Sequence, residues 1–417
     1  MGKAKARRAT FDSLKIRNYR LYMTGQLVSV SGTWMQTVGL SWLVLKLTHS
    51  GFELGAVTAA QFLPLLFLGV VGGLVADRVN KRKLILATQS SLAVASLLLG
   101  VLTVTGDVEM WMVYAISLWI GVTNSVDNPA RQSFVGEMVE KSRIANAVSL
   151  NAVVMNSARI VGPGIAGVVI YALGTGSLFL ANAASFLGVI IALLMIRPAE
   201  LYYSERIPRA KGQLREGLSY VWTAPNLKVP LVILFLVGTF AFEFQVSFPL
   251  LASAGFHRGA GTYAALMSFM GVGAVVGGLI SATFPQTSLR RLAYASAGFG
   301  ALILLVSFMP SSILAVAAVI PMGTLSMVFI SIANSTLQIN SEPSMRGRVL
   351  SLFTVAYQGS TPIGAPIVGY VGQQLGARYA VAIGGVAALI AALYGFLSRA
   401  RRDQSLAFGA STGGAEP

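Results

Sequence analysis

Gly51-Phe52-Glu53-Leu54-Gly55-Ala56 returns as Gly255-Phe256-His257-Arg258-Gly259-Ala260, an offset of 204 residues. Val71-Gly72-Gly73-Leu74 returns as Val276-Gly277-Gly278-Leu279 at offset 205, and Gly162-Pro163-Gly164-Ile165-Ala166-Gly167 as Gly364-Ala365-Pro366-Ile367-Val368-Gly369 at offset 202. Every copy lies in strongly apolar surroundings. The pattern is that of a duplicated membrane unit of about 200 residues, and repeats of this kind place a substrate site at their interface near the bilayer midplane.

Composition names the solvent. Hydrophobic residues make up 55% of the 417, charged residues 11%, and mean hydropathy is +0.70, whereas a soluble domain carries roughly 25% charged residues. Runs of about 20 apolar residues cross the hydrocarbon core as helices. Twelve are expected: 22–46, 54–76, 84–105, 109–130, 146–172, 177–196, 229–252, 261–283, 292–309, 313–337, 349–372 and 378–398. The expected fold is all-α and polytopic, with twelve transmembrane helices in two pseudo-symmetric six-helix bundles, 22–196 and 229–398. The arm 1–21 runs straight into the first apolar stretch, which is too long for the roughly 7–15 residue core of a cleaved signal, so it is expected to be retained. In the linker 197–228, Leu214, Leu218, Val221 and Trp222 recur at helical spacing and predict a short interfacial helix. The polar, Gly-containing tail 399–417 reads as disordered.

A net charge of +16 would suggest nucleic acid in a soluble protein. Here all but Lys46, Arg159, Arg258 and Arg378 of the 31 Lys and Arg residues fall on one side of the expected spans. That is the positive-inside bias, and it predicts both termini in the cytoplasm of an inner-membrane protein, with the lipid bilayer rather than nucleic acid as partner. There is no cysteine, and the two histidines, His49 and His257, fall in expected outer loops. With no metalloprotease, Walker or nucleophile-elbow pattern, no metal, cofactor or enzymatic activity is expected.

The most specific chemistry lies in Gly73-Leu74-Val75-Ala76-Asp77-Arg78-Val79-Asn80-Lys81-Arg82-Lys83. It resembles the loop signature of the major facilitator superfamily, Gly-x-x-x-Asp-Arg-x-Gly-Arg-Arg, with Asn80 at the second glycine, one of the few residues that tolerate a left-handed backbone. Gly73 would let a neighbouring helix approach. The resemblance implies that Asp77 faces the start of the eleventh helix, where a helix dipole favours negative charge. Arg78, Lys81, Arg82 and Lys83 serve topology and a latch together. In the second copy Gly278 is kept and Ala282 replaces the acid. Asp127, four residues before Arg131, reads either as a proton carrier or, preferably, as a cytoplasmic gate partner of Arg78 or of Lys81 and Arg82.

Ser149, Ala158, Gly162, Pro163, Ala166 and Gly167 occupy the spacing of the antiporter motif of the same superfamily, Gly-x8-Gly-x3-Gly-Pro-x2-Gly-Gly, with three glycines replaced by Ser or Ala. Small residues let helices pack closely and Pro163 permits a bend. Asn18-Tyr19-Arg20-Leu21, Gly25-Gln26, Asn128-Pro129-Ala130-Arg131-Gln132, Asn156 to Pro163 and Arg215-Glu216-Gly217 resemble the branch containing enterobactin-type siderophore exporters and macrolide-efflux proteins, over residues 12–402. The resemblance implies a proton-driven exporter of small organic molecules. Ser117 stands where classical drug antiporters carry an arginine in the fourth helix.

Two charges lie deep in expected helices, Arg159 and Glu243, both about 20 Å from the inner ends at 1.5 Å per residue. Intramembrane charge marks a pathway or a partner. Glu243 is expected to be the proton or cation site, with Arg159 tuning it or contacting an anionic substrate; a fixed polar contact between helices is the alternative. Gln26, Gln36, Asn151, Asn334 and Gln358 are candidates for cavity lining. The expected function is secondary active export by alternating access with proton antiport, in a monomer. A lipid or lysophospholipid flippase is the alternative within transport, and a non-transporting scaffold or receptor the alternative from another class.

Overall fold

A computed structural model describes residues 11–202, 213–283 and 288–412, and among them every regular element is helical. A short turn, Asp12–Lys15, leads into α1 (Arg17–Thr48), α2 (Gly51–Arg78), α3 (Lys81–Thr105), α4 (Met110–Glu137), α5 (Ile144–Leu173) and α6 (Thr175–Met195). The linker contributes α7 (Gln213–Thr223). Then follow α8 (Pro225–Ala241), α9 (Phe244–Leu250), α10 (Ala260–Thr283), α11 (Leu289–Ser307), α12 (Ser312–Ile339), α13 (Arg346–Tyr357), α14 (Thr361–Gln374) and α15 (Ala377–Thr412). Among the described residues, nine helical stretches are long and apolar enough to cross a membrane. The expected spans that miss this test are those in α1, α4 and α13–α14. The first two carry Gln26, Gln36, Asn124 and Asp127, and the third is interrupted. Polar side chains of this kind belong on faces turned to other protein or to water.

Several boundaries differ from the sequence reading. The span 229–252 is broken after α8: Phe244 N–H bonds Phe242 O at 2.9 Å, and Glu243 sits at φ −80°, ψ 43° between two helical pieces. The span 349–372 is broken at 358–360 because Pro362, in the first turn of α14, has no N–H for the carbonyl four residues back. α4 passes through Pro129 to Glu137 rather than stopping at 130, with the Ser133 hydroxyl donating to Pro129 O at 2.8 Å. Asn80 is extended (φ −64°, ψ 111°), not left-handed; its side chain accepts from Lys83 N–H at 3.1 Å and caps α3. The tail expected to be disordered from 399 instead continues α15 to Thr412, since 399–408 contains neither Gly nor Pro to stop a helix. Residues 413–417 and the linker residues 203–212 lie outside the described residues.

The repeated phrases are places where helices meet closely. A Cβ on Gly72 would lie 2.0 Å from Ser125 O, and a Cβ on its repeat counterpart Gly277 2.2 Å from Thr324 O, so each copy presses its helix onto the second helix beyond it. The other two phrases join the first half of the chain to the second. A Cβ on Gly369 would lie 2.1 Å from Gly51 O, and one on Gly55 2.3 Å from Ala365 O, so α2 and α14 touch backbone to backbone. On the other side of the molecule Gly167 of α5 meets Ala264 of α10, with a Cβ placed 2.9 Å away. These contacts lie toward the end of the molecule opposite the chain termini. Gln373 seals the same end: its Oε1 accepts from the Ser50 hydroxyl (2.8 Å) and from Phe52 N–H (3.1 Å), capping α2 from the other half.

At the terminus end the stretch around Asn18 is an anchor. Asn18 donates to Arg197 O (3.0 Å) and accepts from Arg197 N–H (3.1 Å), while the Tyr19 hydroxyl donates to Ala147 O (2.8 Å). The linker helix α7 docks on α13 through Arg348 and Glu216 (2.6 Å), buries Val221 and leaves Leu218 and Trp222 exposed.

Candidate functional site

The two helix breaks meet at one acid. Glu243, 3% exposed, occupies the break between α8 and α9, with the Thr361 side chain at the start of α14 near its carboxyl group. Its Oε1 has no partner. Gly364 makes the contact possible: a Cβ there would lie 1.7 Å from Thr239 O and 3.2 Å from Oε1. The walls are aromatic. Phe242 lies 5.0 Å from Tyr357 and 5.2 Å from Phe299, and Phe244 lies 4.8 Å from Phe248, ring centre to ring centre. Among the described residues no cation pairs with Glu243. A buried acid with one unpaired oxygen is a group whose ionisation must follow access of water.

Arg159 stands across from it on α5, half-buried, its guanidinium 5.4 Å from the centre of the Trp34 ring. It forms no ion pair with Glu243. Tyr357 lies near both. Ala158, Gly162 and Pro163 are buried on the same helix: a Cβ on Gly162 would lie 2.6 Å from Ser31 O, against α1, while Gly167 faces the other half. The antiporter-like stretch therefore packs α5 against both halves at once.

A second polar centre lies inside the first half. Asp127, fully buried, pairs with Arg131 (2.8 Å) and accepts from the Thr88 hydroxyl (2.6 Å) and from Gln89 Nε2 (3.0 Å). Arg131 also donates to Gln26 Oε1 (3.0 Å), and the Ser29 hydroxyl to Gln89 Oε1 (3.3 Å). This corrects the gate reading: Asp127 lies about 15 Å from the end of α4 and ties α1, α3 and α4 together, with no contact to Arg78, Lys81 or Arg82. Lys81 instead forms a buried ion pair with Glu137, and Arg82 donates to Leu193 O (2.7 Å) and Leu194 O (3.1 Å). Arg78 is exposed, Asp77 half-buried in the last turn of α2, and Gly73 buried beside Gly72, which makes the close helix contact.

Gln36 is a lock between helices rather than cavity lining, since its Oε1 accepts from Ser96 and Asn182, both at 2.6 Å. Asn334 bonds Gln338 one turn along its own helix. Asn151 is half-buried and Gln358 exposed at the second break. Ser117 is fully buried with its hydroxyl unpaired. Thr361, Tyr357, Trp34, Gln89 and Asn182 escaped the sequence reading; only Thr361, followed by Pro362, carried a local signal.

Bundled apolar helices, two of them broken around a buried acid, define a membrane transporter fold. The chain belongs to the MFS_3 family of transmembrane secretion effectors, whose model matches residues 8–415. It is 23% identical to the staphyloferrin A transporter of Staphylococcus aureus, over 91% of this chain and 96% of that protein. It is also 23% identical to the enterobactin exporter EntS of Shigella boydii, over 86% of each. Among solved structures it resembles a bacterial homologue of the human lysosomal transporter Spinster, in an inward-facing and occupied conformation. That likeness has a TM-score of 0.71 and 12% identity and covers 92% of this chain and 97% of the other. The protein is thus a major facilitator transporter, not an enzyme.

Proposed function

We propose that the protein exports a small organic molecule, siderophore- or drug-like, by alternating access coupled to proton entry. In this reading α1–α6 and α8–α15 form two six-helix bundles, the broken pieces α8–α9 and α13–α14 each counting as one of twelve spans, with both termini cytoplasmic. The far end, sealed by α2 against α14 and by α5 against α10, is then the outer gate. The observation that carries the reading is Glu243, a buried acid at the meeting of two helix breaks, beside an interface the two halves must remake in every cycle. Water reaching the site from one face would take its proton, and water from the other would return one. The relatives named above, a siderophore transporter and a siderophore exporter, support the substrate class.

The test is pH-gradient-driven accumulation of enterobactin and of ethidium in inverted vesicles. Wild-type protein should accumulate at least one probe and lose it when the gradient collapses. Glu243→Gln keeps the shape without the titration and should allow exchange without accumulation. Accumulation by the Gln variant with wild-type pH dependence would falsify the assignment of Glu243.

A further inference from the structure

We propose that Arg159 and Trp34 form an anion subsite that binds a planar organic carboxylate; the proposal rests on the transporter reading above and names the substrate chemistry of that site. The argument begins with what Arg159 lacks. A guanidinium stays charged at any physiological pH, and its place about midway along α5 makes an unsolvated charge costly. Among the described residues no carboxylate pairs with it and no acceptor takes a hydrogen bond from its side chain, while the Trp34 ring lies 5.4 Å from its guanidinium. Beside the indole, with no acceptor on its N–H groups, the guanidinium can offer a carboxylate two parallel N–H donors.

Position strengthens the case. A Cβ on Gly162, one turn beyond Arg159, would lie 2.6 Å from Trp34 Cβ, so the tryptophan is wedged against α5 and holds the guanidinium in place. A Cβ on Gly271 of α10 would lie 3.3 Å from Arg159 O, so the residue sits where the two halves meet. Tyr357, close to both Arg159 and Glu243, offers an aromatic wall with a hydroxyl on the opposite half. A ligand with a carboxylate on a flat ring would reach the fork and lie against these rings. Glu243 forms no ion pair with Arg159 and is not needed for the contact.

The experiment measures equilibrium binding of radiolabelled salicylate to the purified protein in nanodiscs, with no gradient imposed. Saturable binding is expected, with neutral salicylamide competing about tenfold or more weakly, because a charged hydrogen-bonded contact is lost. Arg159→Gln should weaken salicylate about tenfold or more, Arg159→Lys by less, and Trp34→Leu a few-fold by freeing the guanidinium. No saturable binding, equal competition by salicylamide, or wild-type affinity in a folded Arg159→Gln would each overturn the subsite. If Arg159→Gln does not fold, the salicylate to salicylamide ratio and the Lys variant decide. A wild-type protein that binds salicylate but shows no response to a pH gradient would refute proton antiport and leave the subsite standing.

Discussion

Substituting Gly369 with alanine acts directly on the closed end. The added Cβ would lie 2.1 Å from Gly51 O, whereas side-chain carbons keep at least 3.0 Å from such a neighbour, so α2 and α14 must part by about 1 Å. The facing atom, Gly51 O, is backbone and a Cβ has no rotamer, so no side-chain movement relieves the clash. Overpacking of this kind costs about 1–3 kcal/mol, and the cost falls only on the conformation in which the two helices touch. The equilibrium should therefore move toward an open far end by about 5- to 150-fold. The chain has no native cysteine, so spin labels introduced at Asp107 and Arg258, exposed at that end in different halves, report on it alone. Wild-type protein should give a single short distance and Gly369→Ala an added longer one. Unchanged distances in a folded variant would show that the contact does not hold the gate.

Asp77→Asn should leave the protein inserted and folded but slow transport, measured as vesicle uptake against protein amount; an unchanged rate would make the loop a topology signal only. Asp127→Ala leaves Arg131 and Gln89 without their buried partner and should cost roughly 3–5 kcal/mol, seen as a large drop in thermal stability in detergent, whereas Arg78→Ala should leave it unchanged. Asp12 is held below the ordinary carboxylate range, first by its hydrogen bond from Lys15 and then by the charge of Arg143. Its contribution to docking of the 12–15 turn is thus present above the unfolded value and fades as pH falls through the lowered one; carboxyl-carbon NMR of wild type and Lys15→Gln should show the variant titrating at higher pH.

The repeats were legible because they are packing motifs: glycine at Gly51, Gly55 and Gly369 is demanded by backbone contact, and that demand survives in the sequence. The helix count expected from hydropathy was less direct, since α1 and α4 turn polar groups such as Gln36 and Asp127 into the protein and so look less like lipid-facing spans. The break at Glu243 was invisible because nothing in Thr239 to Gln245 forbids a helix. The pairing of Asp127 with Arg131 instead of the loop cations was misjudged because α4 runs past Pro129, which carries the acid away from the membrane edge. Asn80 was read as a glycine substitute when its cap on α3 explains it better. Glu243 and Arg159 could be singled out by depth alone, whereas Tyr357 and Trp34 are known only from neighbours distant in the chain.

The cap that Gln373 places on α2 has a kinetic consequence. When the far end opens, the Phe52 N–H and the Ser50 hydroxyl lose one acceptor and meet solvent in the same movement, so a water molecule can replace the glutamine oxygen almost at once. The exchange leaves no donor stranded, and little net enthalpy separates the sealed and hydrated states. Such a clasp would align the two halves as they come together yet add little to the barrier for separation, which suits the outer gate of the alternating-access reading proposed above.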